Sequence, residues 1–476
     1  MVAPAAPSCS ARGSDAAGFD SRTGGAAPRA TASRRIVFLR ASSCLLLALV
    51  TMSGCATHAK RLELARRDFY RGDLHSANER LVEEIARQPK DVEVLQLDQA
   101  MIELLQGRPD QAERLLLESR DRLAFHEQRD VGETAMTWLT DDTKRAYEGD
   151  DYEKVLLRVF LALSNLMDDG DDVTAYAFQI NETQQRIINE AADPEGENPK
   201  AAYTQVALGP YLYGLIREAT HLNYDDAERA YERVVEWAPN FPAGVEDLER
   251  ARGGVHCEQG NGVVYVIGLV GRGPYKVERD EIPTSQAMLI ADRILSAVGE
   301  HNVTPTIAPI KIPAIYVPAN PLDRLAVFAG DQYVGDTEVI TDVGQLARDQ
   351  YQAMMPQVMG KAIARRAVKK AALYAAKSAM NTQGIGELAL DLVGIAWEAT
   401  EAADTRCWGL LPETIQVRRI ELPAGRHRLS VQPRQGESVV GNLDTFEVEV
   451  VESRNTFVML HYPSTQRLGE VLRSTH

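Results

Sequence analysis

Arg71-Gly72-Asp73-Leu74-His75-Ser76-Ala77, with Leu81 one turn further on, recurs 35 residues later as Gln106-Gly107-Arg108-Pro109-Asp110-Gln111-Ala112 with Leu116. Ala65 and Ala100 keep the same offset. Four positions sharing one spacing mark a repeated unit of two helices. The small residues fall where paired helices touch, and Gly72 and Gly107 turn the chain between them. Pro89 stops the second helix and opens the next unit. The back half of the motif returns at Asn223-Tyr224-Asp225-Asp226-Ala227, and Ala227 to Pro239 spans the same twelve residues as Ala77 to Pro89. Gly149 with Tyr152, and Gly170 with Ala175, mark further helix pairs of looser spacing.

This periodicity resembles tetratricopeptide repeats. The resemblance implies an α-solenoid over residues 55–252, with a concave face suited to peptides or partner proteins. A generic helical bundle is the alternative. The acidic runs Asp141-Asp142 and Asp168-Asp169-Gly170-Asp171-Asp172 lack the alternating oxygen ligands and closing glutamate of a calcium loop, so they read as turns between helices. Ala192 to Pro199 is a polar loop.

Beyond Gly253-Gly254 the pattern changes. Val263-Val264-Tyr265-Val266-Ile267 reads as a buried strand. The glycines that follow (Gly268, Gly271, Gly273) are spaced GxxGxG, and Pro274-Tyr275 continues extended where a nucleotide site needs a helix, so a glycine-rich hairpin is expected. Residues 285–299 suit one helix. Pro305, Pro309, Pro313 and Pro318 confine any strand between them to a sheet edge. Leu325-Ala326-Val327-Phe328 and Tyr333-Val334 continue a sheet. Four more strands are expected around 415–420, 428–431, 446–450 and 456–460. Phe446, Val448 and Val450 alternate with Glu447 and Glu449. The fold class is therefore α+β: a helical-repeat half, then a mixed β domain over 255–463 in the form of a small sandwich, with 464–476 as a tail.

Inserted at about 343–404 is an Ala-rich helical hairpin. Lys361, Arg365 and Lys369 step by four, with Arg366 and Lys370 on the neighbouring row, as a basic stripe. The stripe is either a solvated face or a contact for an anionic polymer. Lys377, Glu387 and Asp391 interrupt any apolar span long enough to cross a bilayer.

The start of the chain carries a different signal. Arg34, Arg35 and Arg40 precede Cys44-Leu45-Leu46-Leu47-Ala48-Leu49-Val50, which ends at Met52-Ser53-Gly54-Cys55. This order resembles a bacterial lipoprotein signal peptide with its lipobox. The resemblance implies removal of residues 1–54 and lipidation (diacylglycerol, palmitate) of Cys55. Ala56, standing where a retention aspartate would be, implies an outer-membrane anchor facing the periplasm.

Net charge is −16 over 476 residues. The leader holds six arginines against Asp15 and Asp20, a net of +4, so the part from Cys55 carries −20. Such a surface excludes a nucleic-acid partner, which needs basic charge. Of five cysteines, Cys9 and Cys44 leave with the leader and Cys55 is acylated; Cys257 and Cys407 either pair or stay separate thiols. The nine histidines form no HExxH array, and neither GxSxG nor a cysteine-nucleophile signature is present. No catalytic residue, cofactor or metal site is expected.

Ala403-Asp404-Thr405-Arg406-Cys407-Trp408 with Leu411-Pro412, then Leu422-Pro423-Ala424-Gly425, resembles a family of bacterial envelope lipoproteins that join a tetratricopeptide-like half to a half bearing AD-x-R-x-W-x-x-LP. Cys407 stands where that family has serine. Its members are often encoded beside lipoproteins similar to penicillin-binding-protein activators, which implies a place around cell-wall synthesis. Physically, Asp404, Arg406 and Trp408 are expected to fasten the helix end to the sheet by an ion pair and a buried indole. The function expected is a lipid-anchored, non-enzymatic scaffold that holds envelope proteins on the repeat surface. The alternative is a module binding peptidoglycan or lipopolysaccharide through Lys361, Arg365 and Lys369; a wall-active hydrolase is the third reading.

Overall fold

Gly72 and Gly107 adopt φ of +86° and +77°, a left-handed conformation that side chains with a Cβ resist. Each therefore ends one helix and aims the next. The computed structural model describes residues 57–130, 145–192, 195–298, 302–379, 385–399 and 401–476. The leader with Cys55, and the Asp141-Asp142 run, lie outside the described residues.

After a single turn at His58–Arg61, the helices are α1 (Glu63–Tyr70), α2 (Leu74–Arg87), α3 (Val92–Leu105), α4 (Pro109–Asp130), α5 (Asp151–Met167), α6 (Val173–Asn189), α7 (Leu208–Glu218), α8 (Tyr224–Trp237) and α9 (Pro242–Arg252). Asp73 caps α2 by accepting the Ser76 amide at 3.0 Å, the local bond that lets a short polar residue start a helix. Each helix packs on the one before and the one after it. Ala77, Ala112 and Ala227 are fully buried at these contacts.

The strands are β1 (Asn261–Val270), β2 (Tyr275–Glu281), β3 (Ile310–Tyr316), β4 (Arg324–Ala329), β5 (Gln332–Asp336), β6 (Glu338–Asp342), β7 (Thr414–Pro423), β8 (Gly425–Gln435), β9 (Ser438–Val439), β10 (Asp444–Val450), β11 (Asn455–Tyr462) and β12 (Leu472–Thr475). One sheet runs β12-β11-β1-β7-β6; a second runs β10-β8-β4-β5, with β9 on β8. In β1, Val264 and Val266 join the core between the two sheets, while Val263, Tyr265 and Ile267 join the core beneath the helices. A strand covered on both faces needs apolar residues at every position, which explains its unbroken apolar run.

The chain thus stacks in three layers, helices on sheet on sheet, and Cys55–His476 is one compact unit. Two cores do not mean two bodies. The change at Gly253-Gly254 is one of secondary structure, since the helical layer and β1, β7 and β11 share a single core. Consequently the inner face of the helices is occupied by the chain's own sheet, and α5 packs on β11 and β12.

Two sequence expectations change. Leu472–Thr475, read as tail, is an edge strand paired antiparallel to β11. The glycine-rich stretch does not make a hairpin: β1 pairs with β7 and β11, whereas β2 leaves the sheet to pair with β3. The Gly273 amide is held by the Leu411 carbonyl at 2.8 Å, and a Cβ there would collide with that same backbone. The proline-bearing strand β3 pairs with β2 alone, as proline requires. Between neighbouring strands β6 and β7 stand two further helices, α11 (Val343–Ala379) and α12 (Ile385–Ala399), and α10 (Ile282–Val298) precedes β3.

Candidate functional site

Residues 403–412 run as irregular chain, with a turn at 409–410, mostly buried between helical layer and sheet. Backbone that leaves a ladder must still find partners, and here helix carboxylates supply them. Trp408 N donates to Glu153 Oε1 at 2.7 Å and Leu410 N to Asp98 Oδ1 at 3.0 Å. Cys407 Sγ accepts from Lys276 N at 3.3 Å, and Thr405 Oγ1 accepts from Ala59 N at 3.1 Å. The Trp408 indole is fully buried against Phe160, 5.3 Å between ring centroids.

Arg406 reaches Asp404 at 2.6 Å, Asp91 at 3.3 Å and the Arg145 carbonyl at 2.8 Å. The residues Asp404, Arg406 and Trp408 do come together with an ion pair and a buried indole. What they fasten is chiefly the helical layer, through Asp91, Glu153 and Phe160, because the segment passes beneath α3 and α5.

Burial dominates the electrostatics of this seam. It pushes Glu153 up to about 7, reinforced by the neighbouring Asp150 charge, and Asp98 up to about 7 against the pull of Arg66. Burial likewise pushes the Cys407 thiol up to about 12. For Asp91 burial works against ionisation, but the His58 hydrogen bond and the Arg406 and Arg61 charges outweigh it and hold the carboxyl below its ordinary value. Tyr147 and Tyr152 also donate to Glu153. A carboxyl enclosed in this way positions backbone and touches no solvent.

Next to the seam opens a cleft of about 600 Å³, between the start of α5, the end of α6, β3 and α11. Its lining carries Lys154, Lys200, Lys276 and Lys361 against Glu127, Glu148, Asp150, Asp151 and Glu190, four cations to five anions. Lys276 and Asp150 pair at 2.7 Å, so the fixed charges within it are largely matched. Gln350 and Gln357 add amide groups from α11. A smaller cleft of about 150 Å³ is lined by Lys361, Arg365, Lys369, Glu401 and Asp404.

The five basic residues of the stripe therefore separate. Lys361, Arg365 and Lys369 face clefts, and Lys369 pairs with Glu401 at 2.5 Å. Arg366 and Lys370 point inward and are buried, paired with Glu401 at 2.6 Å and Asp292 at 2.5 Å. Neither belongs to a solvated face.

Asp150, Glu153 and Lys276 went unnoticed in the sequence. Asp150-Asp151-Tyr152-Glu153 has the spacing of a capping box, and Glu153 does accept the Asp150 amide at 3.1 Å; that pattern marks a helix start and says nothing of burial. Lys276 carries no local signal. Cys257 and Cys407 are separate thiols. Among the described residues no group of three or more His, Cys, Asp or Glu is placed to hold a metal ion. No family model, curated protein or solved structure matches the chain.

Proposed function

We propose that this chain is a lipid-anchored scaffold of the bacterial envelope, fixed through Cys55 to the periplasmic face of the outer membrane, that holds a segment of another envelope protein in the cleft between α5, α6 and α11. The observation that carries the reading is the cleft itself. At about 600 Å³ it falls within the roughly 300–1,000 Å³ range of sites that enclose a small ligand, and it suits a short run of peptide. Its near-balance of lysines and carboxylates matches a chain bearing both charge signs and amides. A polyanion such as lipopolysaccharide would meet five carboxylates in that cleft, and at the smaller cleft of Lys361, Arg365 and Lys369 it would meet Asp404 and a Glu401 already paired with Lys369, which disfavours the polymer-binding alternative.

The helices fit a tetratricopeptide-like solenoid in that each packs on its sequence neighbours. Since their inner face is taken by β1, β7 and β11, the partner's place moves from the concave surface to the cleft at its rim. The likeness of Ala403 to Pro412 to the envelope lipoprotein family agrees with a structural use of that segment, and a role near cell-wall synthesis follows from the same likeness. A non-enzymatic role is favoured because the most strongly raised carboxyls of the region, Asp98 and Glu153, are enclosed and spent on backbone amides.

The test places a photo-crosslinking amino acid at Gln357 of the full chain in cells and identifies the adducts. One or a few envelope proteins, lost in a Lys361→Glu background, support the scaffold. Adducts with sacculi alone, whose formation salt added before irradiation prevents, overturn it in favour of polymer binding, and release of soluble wall fragments by the purified chain would overturn it in favour of a hydrolase.

A further inference from the structure

The helices α10, α11 and α12, with the irregular residues 302–309, form an arm whose polarity is inverted. Its interior is ionic. Lys370 bonds Asp292 at 2.5 Å and the Thr304 carbonyl at 2.7 Å. Lys377 bonds Asp391 at 2.7 Å and the Asn302 carbonyl at 2.6 Å. Arg366 bonds the Ala308 carbonyl at 2.6 Å and Glu401 at 2.6 Å. Arg366 and Lys377 are both 0% exposed.

The outside is mostly apolar on all three helices, with Gln286 and Arg293 of α10 the exposed polar exceptions on that helix. Ile290, Ile294 and Leu295 of α10 are 54–62% exposed, and Leu388, Leu392 and Val393 of α12 are 58–60% exposed. On α11, Val368 is exposed, and the residues around it on the outer side are alanines (Ala364, Ala367, Ala371, Ala372).

In water this arrangement is doubly unfavourable, because it dehydrates charge and hydrates hydrocarbon. In a bilayer it is the arrangement required: charged side chains turn inward and pair, and apolar ones face lipid. Lys377, Glu387 and Asp391, which break the apolar pattern in the sequence, sit together inside the arm, with Lys377 to Asp391 at 2.7 Å and Lys377 to Glu387 at 4.0 Å.

The arm also has a direction. Its foot is the Arg366–Lys369–Glu401 cluster and its far end the Lys377–Asp391 pair. The step of eleven from residue 366 to residue 377 on α11 rises about 16 Å, close to half of a hydrocarbon core about 30 Å thick. At the foot stands Trp397, 45% exposed, with the Lys369 amine 5.1 Å from its ring, and Lys361 and Arg365 line the cleft there. Indole and cationic groups favour the depth of lipid headgroups. Thr405, four residues beyond Glu401, receives the amide of Ala59. Four residues of chain reach at most about 14 Å, which bounds the length of any tether from Cys55 to Ala59.

We propose that this arm is a membrane-inserting element: its outer half enters the hydrocarbon of one bilayer leaflet, with Trp397, Lys361 and Arg365 at the headgroups. Among the described residues no helix is long and apolar enough to cross a membrane, and insertion into one leaflet does not need one. Because apolar residues are exposed on each of the three helices, a surrounding solvent of lipid covers them where a single docked surface would cover one side. The inference does not depend on acylation or on the cleft's occupant.

The test uses the full chain carrying Cys55→Ser, so that no acyl chain contributes, floated with phosphatidylethanolamine–phosphatidylglycerol vesicles. Ile294→Glu with Leu392→Glu is expected to lower the bound fraction roughly tenfold or more, the order set by placing charge in hydrocarbon. Leu222→Glu, on an exposed turn of the helical layer, leaves it unchanged. Lipids brominated near the headgroup quench tryptophan emission in the parent, and Trp397→Phe abolishes most of that quenching. The leader is common to every variant, and far-UV circular dichroism shows that each is folded. Absence of Trp397 quenching overturns the proposal. So does concentration-dependent self-association in water that the double substitution abolishes, which would assign the arm to a second copy of this chain.

Discussion

The substitution Asp98→Asn puts the buried seam to a quantitative test. Asp98 is 1% exposed in the middle of α3 and accepts the Leu410 amide through Oδ1, while its Oδ2 has no hydrogen-bond partner among the described residues. Burial lifts its carboxyl from 3.8 to about 7. Below about pH 4 the carboxyl is protonated in both folded and unfolded chains and adds nothing pH-dependent. As pH rises from 4 to 7 the unfolded chain ionises first and is favoured by about 1.4 kcal/mol per unit; above 7 the folded chain ionises too and the loss levels off. Over roughly three units the native protein forfeits about 4 kcal/mol through this one group. The asparagine side chain keeps the acceptor for Leu410 and cannot ionise. Whatever constant offset the new amide brings, the stability difference between variant and parent should move about 4 kcal/mol in the variant's favour between pH 4 and pH 8. Urea unfolding at pH 4, 5, 6, 7 and 8 measures it. A difference constant to within about 1 kcal/mol, or one that moves against the variant as pH rises, would refute the account of a carboxyl held neutral by burial.

Two further outcomes follow from the same seam. Trp408→Ala empties the space against Phe160 and should cost about 3–5 kcal/mol in urea unfolding; a loss under about 1 kcal/mol would mean that the indole is not central to the packing. Iodoacetamide at pH 8 should modify Cys257, which is partly exposed, well before Cys407, whose thiol burial lifts to about 12; mass spectrometry of the two peptides reads the order, and equal rates would contradict the enclosure of residues 403–412.

Much of the architecture was legible because it is local. Gly72 and Gly107 announce turns, and the alternation of Phe446, Val448 and Val450 places a strand with one buried face. The hairpin at 343–404 also shows, since a long Ala-rich run between two strands has no other outlet. What stayed hidden depends on partners distant in the chain. The step of four at Lys361, Arg365 and Lys369 is visible in the sequence, but the acids that draw Arg366 and Lys370 inward come from Asp292, Glu398 and Glu401 on other segments. A helix wheel cannot say which side faces those acids. In the same way, the apolar faces of α3 and α5 predict burial without naming the sheet as what buries them. Leu472–Thr475 is too short for its alternation to stand out, and its strand character comes from β11 beside it.

The buried passage of residues 403–412 also bears on how the molecule is made. Synthesis delivers all of α1–α9 before β1, and β1 long before β11, with which it pairs in parallel from Val263 with Asn455 to Val270 with Tyr462. Contacts so far apart in the chain close late and slowly. Until Arg406, Trp408 and Leu410 arrive, Asp91 has Arg61 and His58 but not Arg406 beside it, Glu153 and Asp98 lack the Trp408 and Leu410 amides, and the helical layer has neither its central indole nor its underlying sheet. The N-terminal half is therefore complete in sequence but unfinished in energy while nearly the whole second half of the chain is translated. A ribosome must reach the last strand before the first helices are at their final stability.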